Sequence, residues 1–210
     1  MSLIPDLNWR YATKKYDPAK KVPQKLVDEI LEAISLAPSG SGYQPYDVLV
    51  VTNPEVREKL KAAAFNQPQV TEASHLLVFA AWDNITSDNL GKVFDNMANI
   101  RGKSDTHDER RKTAIAGFEA KSAQENFNFA AQQAFIGLGV GVAAAAALKV
   151  DATPMGGFDP KKFDEILGLK EEGLRSVVIL PLGYRDAAGD WLVNLKKVRR
   201  PKADMFKEVA

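Results

Sequence analysis

Hydrophobic positions along the chain follow two kinds of pattern. Three short stretches are almost wholly apolar: YDVLVVT (46–52), HLLVFAAW (75–82) and RSVVILPLGY (175–184). Runs of this length without alternation predict strands buried on both faces. Elsewhere the spacing is helical. VPQKLVDEILEAISLAPSG places Leu26, Ile30 and Ile34 four residues apart, has Pro23 in its first turn and stops at Pro38-Ser39-Gly40. Pro54 opens a second helix, PEVREKLKAAAF. The pattern is helical again from Ser87 to Ile100 and from Asp108 to Leu148. The last of these stretches holds two helices, the later one apolar nearly all round and so buried. DPKKFDEILGL is a short helix capped by Asp159, with Pro160 at its first position. The final twenty residues, WLVNLKKVRRPKADMFKEVA, predict extended, irregular chain with no core of its own. The expectation is one α+β domain over residues 1–210. It has few strands and many helices, and a tail from about 191 of the kind that crosses to a partner subunit.

Composition narrows the functional classes. The chain has 210 residues, 45% hydrophobic and 26% charged, as in ordinary globular proteins. Lys plus Arg number 28 and Asp plus Glu 27, a net charge of +1, which argues against a nucleic-acid partner. The absence of cysteine removes disulfides, thiolate metal sites and a cysteine nucleophile. MSLIPDLNWR lacks the apolar core of a signal peptide, and the apolar run from Ala134 to Leu148 is shorter than the about twenty residues of a membrane span. A cytoplasmic protein with no membrane partner is the expectation. Two histidines cannot build a metal site by themselves. His107 lies in the charged stretch THDERRK, expected to be solvated, and His75 opens an apolar strand as a satisfied core histidine. Ser41 lacks the G-x-S-x-G setting of a hydrolase nucleophile.

Gly137, Gly139 and Gly141 suggest a dinucleotide fingerprint. Their spacing is G-x-G-x-G, and helix rather than strand precedes them. Close packing of a buried helix on a neighbour is the better reading.

Two basic stretches stand at opposite ends of this neutral chain. RYATKKYD (10–17) carries Arg10, Lys14 and Lys15 before its first acid. LKKVRRP (195–201) carries Lys196, Lys197, Arg199 and Arg200. In extended chain, residues two apart share a side. Arg10, Ala12 and Lys14 then face one way, as do Lys197 and Arg199, while Lys15 and Arg200 face away. If folding joins the two ribbons they form a phosphate pocket, with arginine able to bind bidentately. If it does not, they are two solvated basic ends.

Four segments, RYATKKYD, APSGSGYQPYDVLVV (37–51), TPMGGFD (153–159) and LKKVRRP, together resemble the nitroreductase family of flavoproteins, and NQPQVTEASHLLVFAA (66–81) fits as well. The match spans nearly the whole chain in order and spacing. The oxygen-insensitive NAD(P)H nitroreductases and dihydropteridine reductases look most similar. The resemblance implies a central mixed β-sheet covered by helices in an intertwined homodimer, with FMN at the interface and NADH or NADPH as electron donor. It assigns Arg10, Lys197 and Arg199 to the FMN phosphate, with Tyr11 and Ala12 in the same ribbon, and Lys14 toward the ribityl chain and pyrimidine edge. Asn66 and Gln69 would meet the ring's pyrimidine side. Pro154, Met155, Gly156 and Gly157 would lie along the flavin, glycine permitting close backbone approach. Pro38, Ser39, Gly40 and Gln133 would reach the flavin of the other subunit.

The sequence departs from the family pattern in places. Ala12 and Gly40 stand where serines are common, Gly156 replaces an acid, and Gln69 replaces a lysine that would stabilise the reduced ring. The implied chemistry is ping-pong hydride transfer from NAD(P)H to nitroaromatics, quinones or related small-molecule acceptors, carried by the flavin with no catalytic side chain and no metal. A flavin reductase, another flavin-dependent dehydrogenase on the same fold, and a non-catalytic FMN-binding module remain as alternatives.

Overall fold

The computed structural model describes residues 3–209. Nine helices and four strands are described. The helices are α1 (Leu3–Trp9), α2 (Gln24–Ser35), α3 (Pro54–Ala63), α4 (Gln69–Glu72), α5 (Ser87–Arg101), α6 (His107–Glu119), α7 (Ala123–Ala147), α8 (Pro160–Leu167) and α9 (Lys202–Met205). The strands are β1 (Tyr46–Val51), β2 (His75–Trp82), β3 (Asp151–Ala152) and β4 (Leu174–Gly183), in sheet order β1-β2-β4-β3.

Every strand pair among the described residues is antiparallel, whereas a mixed sheet was expected. Continuous apolar runs report only that both faces are covered, not which way the strands point. The coverage is real. Leu77 and Phe79 of β2 and Val178, Leu180 and Leu182 of β4 pack with Val27, Ile30 and Ile34 of α2 and with Ala134, Leu138 and Ala145 of α7. On the opposite face, Leu76 and Val78 of β2 and Ile179 of β4 pack with Leu60 of α3 and Phe163 of α8. The period of two along each strand sorts its side chains between these two layers.

Local chemistry sets the helix boundaries. Asn53 caps α3 by accepting from the Val56 N–H at 3.1 Å, and Pro54 follows at the first helical position. Thr86 with Asn89, and Ser122 with Glu125, close capping boxes on α5 and α7. Asp159 caps α8, which ends at Gly168 in the left-handed region (φ 64°).

Helix α7 runs 25 residues, longer than its apolar core at 134–148, because polar residues such as Gln124, Asn128 and Gln132 extend its N-terminal half. It is long and apolar enough to cross a membrane by length and composition, yet it lies on the sheet through Ala134, Leu138 and Ala145. Two of its glycines make that fit possible. A Cβ at Gly137 would meet the Tyr46 ring at 2.8 Å, and one at Gly141 would meet Ile34 at 2.9 Å. At Gly137 and Gly141 the packing reading of these glycines is borne out. His107 is also not solvated: it is buried, edge-on to Phe94 at 5.6 Å between ring centroids.

Candidate functional site

The two basic ribbons meet. A cleft of about 380 Å³ is lined by Arg10, Tyr11 and Ala12 from one end of the chain and by Lys196, Lys197, Val198 and Arg199 from the other, with Trp9 and Arg185 beside them; the expected alternation in the C-terminal ribbon is not kept, since consecutive residues face the cleft. The join is made by Asp190, just before the tail and 3% exposed. Its carboxylate accepts from the Tyr11 O–H at 2.9 Å and from the Lys14 N–H at 2.8 Å, and the other oxygen accepts from the Leu192 N–H at 2.9 Å. Tyr16 pairs with Arg185 in an isolated antiparallel bridge, so the first ribbon runs alongside the segment that follows β4.

The charges in the cleft are unequal in their company. Arg185 is held by Asp151, which is 3% exposed, through several N–H donors, and its guanidinium lies over Trp9 at 4.4 Å and Tyr11 at 4.5 Å. No carboxylate pairs with Arg10, Lys197 or Arg199 among the described residues. The Arg10 Nε is buried with no acceptor among the described residues. Burial, and then the Arg199 cation, hold the Arg10 pKa below its ordinary value. Burial followed by Arg10 and Arg199 does the same to Lys197. Lys197 also donates to the carbonyls of Leu7 and Arg10, closing the C-terminal end of α1 with a cation. Arg199 is exposed, and its guanidinium donates only to the Val198 carbonyl, at 2.7 Å. Lys15 does not line the cleft and pairs with Glu72 instead. Arg200 does not line the cleft. The Lys14 side chain is absent from the lining as well; its backbone, not its ammonium, makes the contact with Asp190.

A second group of predicted residues adjoins the first. Thr153 is locked to the ribbon, its hydroxyl 3.0 Å from the Tyr16 O–H and donating to the Thr13 carbonyl at 3.1 Å. The chain then passes through Pro154, Met155, Gly156 and Gly157. Met155 is not free to lie along a ligand: its N–H and carbonyl bond to Ile179 at 2.9 and 3.0 Å, and its side chain is in the core. The Gly156 and Gly157 N–H groups donate to no acceptor among the described residues, and a Cβ on Gly156 would meet nothing within 4 Å. Asn66 sits in a left-handed turn (φ 57°) that closes α3, its N–H on the Lys61 carbonyl at 2.9 Å. The neighbouring Gln67 side chain donates to the Gly157 carbonyl at 2.7 Å and holds this turn against the glycines. Gln69 is 8% exposed, and its Oε1 is buried without a donor.

The third group stands apart. The Gly40 N–H donates to the Gln133 Oε1 at 2.8 Å, and the Ser39 hydroxyl accepts from the Gln44 N–H at 3.0 Å. Pro38, Ser39, Gly40 and Gln133 share neither the cleft lining nor a hydrogen bond with the other two groups among the described residues.

Asp151, Arg185 and Asp190, which shape the cleft, were not picked out from sequence. They are single charges in irregular chain, and no periodicity marks them; YRDAAGD, a short run of turn residues before the tail, was the only available signal.

The residues at 10–16, 66–69 and 153–157 thus converge within a stretch of chain, 7–184, that matches the family model described as the nitroreductase family. The chain belongs to the nitroreductase family. Among curated relatives, it is 31% identical over 214 residues to the major NAD(P)H-flavin oxidoreductase of Aliivibrio fischeri, covering 97% of each chain. It is 30% identical over 211 residues to the oxygen-insensitive NAD(P)H nitroreductase of Salmonella typhimurium, covering 95% of this chain and 96% of that one. The nitroreductase fold extends to solved structures. A nitroreductase family protein from Streptococcus pneumoniae superposes with a TM-score of 0.81 at 24% identity, covering 100% of both chains. A protein from Exiguobacterium sibiricum solved in complex with FMN gives 0.84 at 24% identity, covering 100% of this chain and 98% of that one.

Proposed function

We propose that the chain is an FMN-dependent oxidoreductase that takes reducing equivalents from NADH or NADPH and passes them to nitroaromatics, quinones or related small acceptors. The observation that carries this reading is the buried, acceptorless Nε of Arg10 in a cleft where Lys197 and Arg199 also lack a carboxylate. Three cations brought together, two of them partly desolvated, suit a phosphate dianion. Farther along, the unpartnered Gln69 Oε1 and the free N–H groups of Gly156 and Gly157 offer an acceptor and donors, which suits the mixed polar edge of an isoalloxazine ring.

When bound, FMN supplies the two-electron hydride chemistry. The chain's part is to hold and shape. Arg10, Lys197 and Arg199 hold the phosphate, and Asp190 keeps their two ribbons side by side. Asn66, Gln69 and the glycine segment orient the ring. No side chain is needed as general acid or base.

The working form is a homodimer. Phe135 and Ile136 of α7 are 50% and 41% exposed, and Trp191 and Phe206 of the tail are each 68% exposed, which leaves a large apolar surface on the single chain. Pro38, Ser39, Gly40 and Gln133 of each protomer complete the flavin site of the other, which accounts for their separation from the remaining site residues. The tail from Trp191 lies on the partner. The protein works in the cytoplasm.

Purified protein should be yellow, and anaerobic addition of NADH or NADPH should bleach it before any acceptor is present. Steady-state double-reciprocal plots against a quinone or a nitroaromatic should be parallel. A colourless protein that takes up no FMN, or a yellow one bleached by neither nucleotide, would defeat the reading.

A further inference from the structure

A second cavity, of about 480 Å³, opens at the start of β2 and shares no lining residue with the Arg10 cleft. Its polar wall is made by Lys21, Thr52, Arg57, Thr71, Ser74 and His75. Arg57 is 5% exposed, yet no acid lies within ion-pair distance of it among the described residues. Its Nε donates to the Val70 carbonyl at 2.7 Å, one terminal nitrogen to the Ser74 carbonyl at 3.2 Å and the other to the Ala73 carbonyl. A guanidinium has five N–H donors and keeps its charge at all working pH. Three donors are spent on neutral carbonyls, so two remain, and the buried charge is reached only at longer range by the carboxylate of Glu58.

The rest of the cavity adds to this imbalance. Glu58, the acid in the lining, is paired with Lys61 at 3.5 Å. Lys21 has no carboxylate within ion-pair distance among the described residues. The His75 Nδ1 lies 3.0 Å from the Ser74 hydroxyl, which also accepts from the Val22 N–H at 2.8 Å, and the His75 Nε2 has no protein partner among the described residues. Burial first, and then the positive charges of Arg57 and Lys21, hold the His75 pKa below the usual imidazole value. The imidazole thus senses a positive potential that Glu58, shared between Arg57 and Lys61, offsets only in part.

We infer that this cavity is a binding site for a small oxyanion dianion of the phosphate or phosphate-monoester class, held between Lys21 and Arg57 with His75 and the hydroxyls of Thr52 and Thr71 beside it. Lys21 and Arg57, with the carboxylate of Glu58 already shared with Lys61, leave an excess of positive charge that matches a dianion better than a single carboxylate. Matching charge in a partly desolvated pocket is where oxyanion selectivity arises.

The two histidines make the test direct, because His75 and His107 give separate imidazole signals. The full-length protein as purified is titrated with inorganic phosphate and, separately, with glycerol phosphate, at constant ionic strength in chloride. The His75 resonances should shift saturably with one or both ligands, and the His75 pKa should rise, since a bound dianion favours the imidazolium. The His107 signals should stay in place, and acetate over the same range should leave His75 unmoved. Lys21 is exposed and its side chain makes no hydrogen bond or ion pair among the described residues, so Lys21→Ala should fold normally and weaken phosphate binding by about tenfold, the loss of one charge-assisted contact. Arg57→Ala is the poorer variant because it strips three carbonyls of their donor. The inference is overturned if His75 ignores both phosphate ligands, if acetate acts as strongly as phosphate, or if Lys21→Ala binds phosphate as tightly as the parent.

Discussion

The Tyr11 hydroxyl donates to the Asp190 carboxylate at 2.9 Å across 179 residues of chain. That contact binds the first basic ribbon to the chain just before the last one, together with the Lys14 N–H on the same carboxylate and the Lys197 ammonium on the Leu7 and Arg10 carbonyls. Tyr11 is held un-ionised: burial, then its bond to Asp190, push its pKa well above the usual phenol value. Asp190 is pulled the other way. Burial works against its charge, but the N–H groups of Lys14 and Leu192 and the Tyr11 O–H outweigh it and lower the pKa.

Replacing Asp190 with Ala should therefore cost on the order of 2–3 kcal/mol, because buried donors lose their acceptor. In a domain of this size that is a fall in Tm of roughly 4–12 °C, read by differential scanning calorimetry. Asp190→Asn should keep part of the stability and lose a slice of the pH dependence. A carboxyl whose folded pKa is depressed adds stability above its unfolded pKa, about 3.9, and loses it as pH falls through the lower folded value. The parent should lose stability relative to Asp190→Asn as pH drops below about 4. Identical acid limbs in parent and variant would show that the carboxylate does not hold this joint.

Arg10→Ala and Arg199→Ala should bind FMN about ten- to a hundredfold more weakly, the effect of one charge-assisted hydrogen bond at roughly 1.5–3 kcal/mol. Riboflavin lacks the phosphate and should bind the parent far more weakly than FMN, with the gap narrowing in both variants. Lys15→Ala should keep its flavin, since Lys15 serves Glu72 instead. Fluorescence titration of the apoprotein reads all of these. Loss of flavin on Lys15→Ala with retention on Arg10→Ala would place the phosphate elsewhere.

Lys197 invites a sharper comparison. It donates to the carbonyls of Leu7 and Arg10 as well as lining the cleft. Lys197→Ala should lower both flavin affinity and thermal stability of the apoprotein, whereas Arg199→Ala should lower affinity alone. Calorimetry on flavin-free protein separates the two. Equal stability in both variants would mean that the contact with α1 contributes nothing.

Gly137→Ala and Gly141→Ala should each destabilise the fold by about 1–3 kcal/mol, the usual cost of overpacking. The added methyl would collide with Tyr46 in one and with Ile34 in the other. Denaturant unfolding of each variant gives the number directly, and a change below about 0.5 kcal/mol would show that α7 can shift aside.

Phe135→Lys places a charge on the exposed apolar face of α7. Sedimentation should move from dimer toward monomer, with flavin lost in parallel because the partner's contribution to the site goes with it. A monomer that keeps full flavin occupancy would refute the shared site.

The sequence by itself determined a good deal. The three apolar runs are β1, β2 and β4, and the caps at Asn53, Thr86, Ser122 and Asp159 open the helices they precede, because strand burial and N-terminal capping are decided within a few residues. The alternation in the first ribbon was only partly legible: Arg10 and Ala12 line the cleft, but so does Tyr11 between them, and Lys14 does not. Two-residue β3 and four-residue α4 were not legible, being too short to show a period. Strand direction, the tie between Asp190 and Tyr11, and the ion pair between Asp151 and Arg185 belong to the tertiary structure alone. So does the engagement of Lys197 with the end of α1. Each joins positions 34 to 190 residues apart or depends on which strand lies beside which. A lone aspartate in a loop has the same local preferences whether it is solvated or at the centre of a joint. Only the folded chain, which removes it from water and brings donors to it, decides between the two.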